Sequence, residues 1–147
     1  MIQRSINHPH HDEMPTAQQT WTAEAAEAWA RALYTKVDRK DAVAFAAAFV
    51  DDAWLRFGNN DPIVGRSGIE AGITQFFTAM VALRHEFVRI TLHEQLLFLE
   101  ASVTYTRHDR GVVTVPAMTV FQMTERDGPR LAERCNIYVD LGPLFAP

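Results

Sequence analysis

Six histidines, one cysteine and eighteen carboxylates are the raw material for chemistry in this 147-residue chain. His8, His10 and His11 stand together near the N-terminus, and three imidazoles in a flexible tail can chelate a divalent metal weakly. No cysteine or carboxylate framework beside them fixes a coordination geometry. The plainer readings are a mobile extension, or an arm that wraps a partner subunit. Nothing near Cys135 in sequence activates it as a nucleophile, so it reads as a small buried hydrophobe. His93 and His108 fall near strand ends, where solvation is expected. The chain has no HExxH pair, no paired-cysteine set, no EF-hand loop and no glycine-rich phosphate loop after a strand. No metal and no cofactor is therefore expected. What remains is acid–base work by histidine, carboxylate and tyrosine.

Composition narrows the partners. The formal charge is −4, only Lys36 and Lys40 are lysines, and no basic run exists, so a nucleic-acid footprint is not expected. No apolar run approaches the roughly 20 residues needed to span a bilayer, so no membrane span is expected. The N-terminus is polar and lacks the apolar region of a secretory signal. A single cysteine excludes an intrachain disulfide and fits a reducing compartment, so a cytoplasmic location is expected. Length and composition suit one domain with one core. The expected organisation is a flexible arm over residues 1–20 and a single α+β domain over residues 21–147.

Positioning any site falls to the elements. Thr22 is a plausible N-cap, with Glu24 and Glu27 in the first turn where the helix dipole favours them. Trp29, Leu33 and Val37 recur near helical spacing, and the helix should end around residues 38–40. Asp41 can cap a second helix that buries Val43, Phe45, Phe49 and Val50. Residues 53–57 read as a strand. Gly58, Asn59 and Asn60 then form a turn, with Asn59 and Asn60 able to adopt positive φ. Ser67-Gly68-Ile69-Glu70 has the spacing of a capping box. It opens a third helix whose apolar face is Ile69, Ile73, Phe76, Phe77 and Met80. From Arg84 onward the period becomes two. Four strands are predicted over 84–94, 96–107, 112–126 and 130–141, with turns at Asp109-Arg110-Gly111 and Asp127-Gly128-Pro129. Three helices and an antiparallel meander give an α+β fold.

The strand over 112–126 carries two alternating sets. One is Val112, Thr114, Pro116, Met118 and Val120; the other is Val113, Val115, Ala117, Thr119, Phe121 and Met123. Both are largely apolar, so neither face can stay wet cheaply. One face should cover the helices and a cavity. The other should be buried by a second copy of the chain, giving a homodimer through the outer sheet face. On the last strand, Cys135, Ile137 and Val139 should face inward, with Tyr138 and Asp140 outward. Trp54 and Arg56 fall opposite Leu55 and Phe57.

The order of helices, the Asp51-Asp52-Ala53-Trp54-Leu55-Arg56-Phe57-Gly58 segment, the capping-box helix and the long strands resembles the nuclear transport factor 2-like superfamily. The resemblance covers roughly residues 22–144. Its members include ketosteroid isomerases, SnoaL-like polyketide cyclases, limonene epoxide hydrolases and scytalone dehydratases. It implies a cone-shaped curved antiparallel sheet wrapped on three N-terminal helices. It does not imply a reaction, because one fold hosts many chemistries.

Set beside ketosteroid isomerases, the base aspartate falls on Phe57, the protonated acid on Met118 and the tyrosine donor on Leu33, with Tyr34 adjacent. Those groups are apolar here, so steroid isomerisation is not expected. Set beside limonene epoxide hydrolases, the last-strand aspartate falls on Ile137, so water activation is not supported. Likeness to scytalone dehydratases places Asp38 at the catalytic aspartate and His85 at one of two histidines; the second has no counterpart. Tyr105 should point into the same cavity. A carboxylate that orients an imidazole, with a tyrosine to polarise a carbonyl, could serve enolisation, dehydration or aldol cyclisation. Each residue has a second reading: His85 as a structural histidine, Asp38 as a helix-turn cap, Tyr105 as core packing. In the superfamily a proline at the place of Pro116 sits near a bulge, so bending is expected there. The expected lining of an apolar pocket is Leu33, Tyr34, Leu55, Phe57, Phe87, Val103, Pro116, Met118, Val120, Cys135 and Ile137.

The expected ligand is a small hydrophobic molecule. The leading reading is a cofactor-free lyase, isomerase or cyclase. A non-catalytic binding module and an accessory subunit are the alternatives.

Overall fold

Thr22 opens the first helix in the computed structural model, which describes residues 20–125 and 128–146. Its Oγ1 accepts the Ala25 N–H at 3.1 Å, capping α1 (Ala23–Asp38). Glu24 lies in the first turn, whereas Glu27 instead pairs with Arg31 one turn on. Ala26, Ala30, Leu33, Tyr34 and Val37 form the buried stripe. The chain then turns through Lys40, at φ 58°, whose Nζ donates to the Met80 carbonyl. Asp41 Oδ1 accepts the Ala44 N–H at 3.0 Å and starts α2 (Ala42–Ala46). This helix is shorter than predicted. Val43 is 64% exposed, and Phe49 and Val50 belong to the next strand, β1 (Phe49–Phe57). Gly58, not Asn59 or Asn60, takes the positive φ in the following turn.

After the short edge strand β2 (Ile63–Val64) comes α3 (Arg66–Thr78). The expected capping box does not form. Gly65 is the N-cap, at φ 92°, a conformation that favours glycine, and no side chain caps the helix. Arg66 explains the earlier start: its guanidinium donates to the Phe49 carbonyl at 2.6 and 2.9 Å and pairs with Asp51 at 2.7 Å. The first helical residue is therefore tied to β1, and Ser67 already lies inside the helix.

Four long strands follow: β3 (Ala82–His93), β4 (Leu96–Thr106), β5 (Val112–Met123) and β6 (Ala132–Val139). The sheet order is β2-β1-β6-β5-β4-β3. The meander from β3 to β6 is antiparallel, as expected. The all-antiparallel expectation fails at one seam, because β1 runs parallel to β6. A fourth helix, α4 (Gly142–Phe145), was not anticipated; it buries Leu144. Register shifts lie between Phe87 and Arg89, between Gln122 and Met123, and between Phe49 and Trp54. Such irregularities bend a sheet around the helices it covers. None lies at Pro116, which pairs with Ser102 in unbroken register. It stands one residue beyond the end of the β5–β6 ladder at Ala117 and Val139.

Burial settles which face looks inward. Val115, Thr119, Phe121 and Met123 are buried, with Val113 and Ala117 half-buried between them. The other set, including Pro116, Met118 and Val120, lies on the outer face, where Thr104 and Thr114 hydrogen-bond across it. The Arg134 guanidinium stacks on the Trp54 ring on that side, 3.9 Å from its centroid. Nearly all of the arm expected over residues 1–20, with His8, His10 and His11, lies outside the described residues. So do Arg126, the expected strand end, and Asp127 of the following turn.

Candidate functional site

Alternation along β3 turns Leu83, His85 and Phe87 toward the helices, while the last turn of α1 presents Asp38. The two elements meet at one carboxylate. Asp38 Oδ1 lies 2.7 Å from His85 Nδ1, and Asp38 Oδ2 accepts the backbone N–H of His85 at 3.1 Å. The His85 side chain is 12% exposed and that of Asp38 26%, so water competes little with this contact. A carboxylate only accepts, so Nδ1 carries the proton and, in the neutral ring, Nε2 keeps its lone pair. Nε2 makes no hydrogen bond among the described residues, which leaves it free to take a proton. The Tyr34 ring packs edge-on to His85, 4.7 Å between centroids, and to Phe87 at 5.2 Å.

Beside Tyr34 lies a small, partly open cavity of about 40 Å³, walled by Tyr34, Val37, Phe45, Phe57, Ile73, Phe76, Phe77, Leu83, Thr119 and Ile137. Its two polar side chains are Tyr34 and Thr119. Burial, with the Cys135 thiol adding to it, pushes the Tyr34 hydroxyl far above its ordinary value. Burial alone pushes up the Cys135 thiol, which keeps it an inert thiol rather than a nucleophile. A cavity of about 150 Å³ holds a benzene ring, so this one admits a ring only if its walls move. Phe57 and Phe76 stand in its wall with centroids 4.7 Å apart, and both are half-buried.

Among the expected catalytic residues, His85 and Asp38 come together, and Tyr105 stands apart. Tyr105 pairs with Leu83, and His85 with Val103, so Tyr105 is one diagonal step from His85 on the same face, about 7–8 Å away. It packs against Phe76 at 6.0 Å, and burial pushes its hydroxyl up to about 12. Among the expected pocket residues, Tyr34, Phe57 and Ile137 line the cavity. Leu33, Leu55, Val103 and Cys135 are buried core beside it, and Phe87 lies against Tyr34. Pro116, Met118 and Val120 are corrected to the outer face, where Pro116 and Met118 line an open groove with Glu100 and Tyr138. Alternation alone could not choose between two apolar sets. Thr119 was missed; the signal was its being the one polar residue in the set that turns inward. Among the described residues, no three histidine, cysteine, aspartate or glutamate side chains are grouped to hold a metal. No helix there is long and apolar enough to cross a membrane.

The family model described as SnoaL-like domain matches residues 30–134. No curated protein matches the chain. Among solved structures, ActVI-ORFA from Streptomyces coelicolor is similar at 20% identity and a TM-score of 0.66, over 78% of this chain and 94% of that one. A ketosteroid isomerase-like protein from Erwinia carotovora atroseptica SCRI1043 is similar at 18% identity and a TM-score of 0.65, over 85% and 97%. An NTF2-like protein of unknown function from Burkholderia pseudomallei K96243 gives 14% identity and a TM-score of 0.70, over 82% and 98%. At these identities the likeness concerns the fold.

Proposed function

We propose, from the premise that the chain belongs to the SnoaL-like domain family within the nuclear transport factor 2-like superfamily, that it binds a small apolar carbonyl or polyketide-like compound and moves a proton on it without a cofactor. The observation that carries the proposal is the two-point grip of Asp38 on His85. It fixes the ring and leaves Nε2 as the base that removes a proton next to a carbonyl. Asp38 then stabilises the imidazolium that forms. Tyr105, whose hydroxyl stays protonated up to about 12, is the donor to the carbonyl oxygen. Enolisation so produced is the common first step of isomerisation, loss of water and aldol cyclisation.

The test is exchange of α-protons for deuterium in a panel of aryl ketones, followed by proton NMR in D₂O. His85→Ala and Asp38→Asn are expected to slow exchange by about 100-fold or more, with the circular dichroism spectrum unchanged. Exchange that proceeds equally in wild type and both variants would rule out the assignment. A second reading is favoured by the small apolar cavity and by His85 standing off its wall. In that reading the chain binds a hydrophobic ligand and catalyses nothing, which would appear as ligand-dependent thermal stabilisation with no exchange above background.

A further inference from the structure

We propose that His108 is a gating residue: its hydrogen bond to the end of α3 keeps the cavity closed, and a flat ligand enters when that bond opens and the last turn of α3 lifts. The inference rests on the ligand-binding half of the proposed function and not on the chemistry assigned to His85.

The cavity is too small for a ring as it stands, so some part of its wall moves. Most of the wall is braced. Tyr34 and Val37 belong to α1, which is capped by Thr22 and tied to β3 through Asp38 and His85. Thr119 and Ile137 face each other across an unbroken stretch of ladder. Ile73, Phe76 and Phe77 all come from α3, which supplies more of the wall than any other element. This helix packs chiefly on α2, β1 and β2. Its N-terminal half is held firmly. Arg66 grips the Phe49 carbonyl, and Ile63 of β2 lies against the helix at Gly68 and Gly72, where a Cβ would stand 3.1 and 2.6 Å from its methyl carbons.

The C-terminal half carries the wall residues and ends in carbonyls that no further turn of helix can satisfy. Thr78 Oγ1 donates to the Gln75 carbonyl and the Ala79 N–H to the Phe76 carbonyl, both within the same turn. From outside the helix, His108 Nε2 lies 2.8 Å from the Thr78 carbonyl oxygen. A carbonyl only accepts, so Nε2 carries the proton in this contact. Among the described residues, it is the one side-chain hydrogen bond that this turn receives from another part of the chain. His108 stands on the turn between β4 and β5, which is itself fixed: Asp109 accepts two bonds from the Arg107 guanidinium and one from the Gly111 N–H. The link from α3 to β3 is pinned as well, by Lys40 on the Met80 carbonyl and by the Val81 N–H on the Thr106 carbonyl. The last turn of α3 is thus the movable piece between two fixed ones. Phe76 and Phe77 ride on it, and Phe76 meets Phe57 and Tyr105 through ring contacts that carry no directional bond. His108 is exposed, so water replaces it at the carbonyl when the bond opens.

Acetophenone is the probe. Its association rate constant would be measured by NMR line-shape titration on wild type, His108→Ala and His108→Gln, alongside amide hydrogen exchange along α3. Thermal melts check folding, which an exposed position should leave intact. His108→Ala is expected to lower protection of the amides of residues 76–78 about fivefold, the equivalent of one hydrogen bond. It is expected to speed acetophenone entry by a similar factor, with the amides of α1 unchanged. A glutamine side chain can donate to the same carbonyl, so His108→Gln is expected to recover part of both losses. Protection and entry within about twofold of wild type in His108→Ala overturn the proposal. So does either change without the other; lost protection with unchanged entry is what a plain helix cap gives. Absence of acetophenone binding in both wild type and His108→Ala overturns it too. His85→Ala should keep the wild-type entry rate. Acetophenone that enters as expected but exchanges none of its α-protons refutes the catalytic reading and leaves this one standing. Exchange with entry that ignores His108 does the reverse.

Discussion

With Oδ1 on the imidazole and Oδ2 on the same residue's backbone N–H, Asp38 sets both the position and the tautomer of His85. A hydrogen bond to a charged group contributes about 1.5–3 kcal/mol. Asp38→Ala should therefore lower unfolding stability by that order, read from the midpoint of urea denaturation at unchanged slope. A helix-turn cap would show a smaller loss, since α2 is capped separately by Asp41. Tyr105 gives a pH signature of its own. Its hydroxyl rises in the fold from about 10 to about 12 through burial. The folded state thus holds the proton more tightly than the unfolded chain. Its contribution is complete below pH 10 and is lost as pH rises toward 12, on the order of 2 kcal/mol. Tyr105→Phe should flatten this part of the alkaline unfolding curve. Legibility at this scale was uneven. His85 and Asp38 were found through likeness to a known family, because residues 47 apart have no local pattern that joins them. Thr119 has only its polarity to mark it, and that signal becomes readable once the inward set of β5 is known.

Among the elements, the two helix starts make a matched pair of tests. Asp41 caps α2 with a side-chain bond, so Asp41→Ala should cost about 1 kcal/mol. Ser67 occupies a capping-box spacing but makes no cap, so Ser67→Ala should change stability by less than about 0.5 kcal/mol. Gly65→Ala, by contrast, forces a side chain into φ 92° and should cost about 1–2 kcal/mol, although a Cβ there meets nothing closer than the Asp51 carbonyl at 3.8 Å. All three are read from thermal melts of the same protein. Spacing predicted Thr22 and Asp41 as caps because each acts within its own turn. It misplaced the start of α3 because the deciding contact, Arg66 on the Phe49 carbonyl, spans seventeen residues. The period-two strands were legible through their alternation. The parallel β1–β6 seam was not, since a strand's own sequence does not state the direction of its neighbour. α4 is four residues long, too short to show any periodicity.

For the molecule as a whole, the helices cover one face of the sheet and leave apolar side chains among polar ones on the other. Pro116 and Met118 line an open groove there with Tyr138, which is 60% exposed, and Val112 beyond them is 64% exposed. Apolar side chains grouped in an open groove suit contact with another protein surface. The homodimer expected from the two apolar sets of β5 therefore stands as a proposal, with a second copy on this groove. Wild type should sediment as a dimer at tens of micromolar, and its melting temperature should rise with protein concentration. Met118→Arg with Tyr138→Arg should yield a monomer, since a buried unpaired cation at the centre of the contact is costly. The His85–Asp38 pair lies on the opposite face of the sheet, so the doubly substituted protein should keep the deuterium-exchange rate of wild type. A wild-type protein that is monomeric across that range rejects the outer face as a self-association surface. A monomeric variant that also loses exchange would mean that the dimer holds the site in shape. Stability at the sheet and chemistry at the His85–Asp38 pair would then be one property, not two.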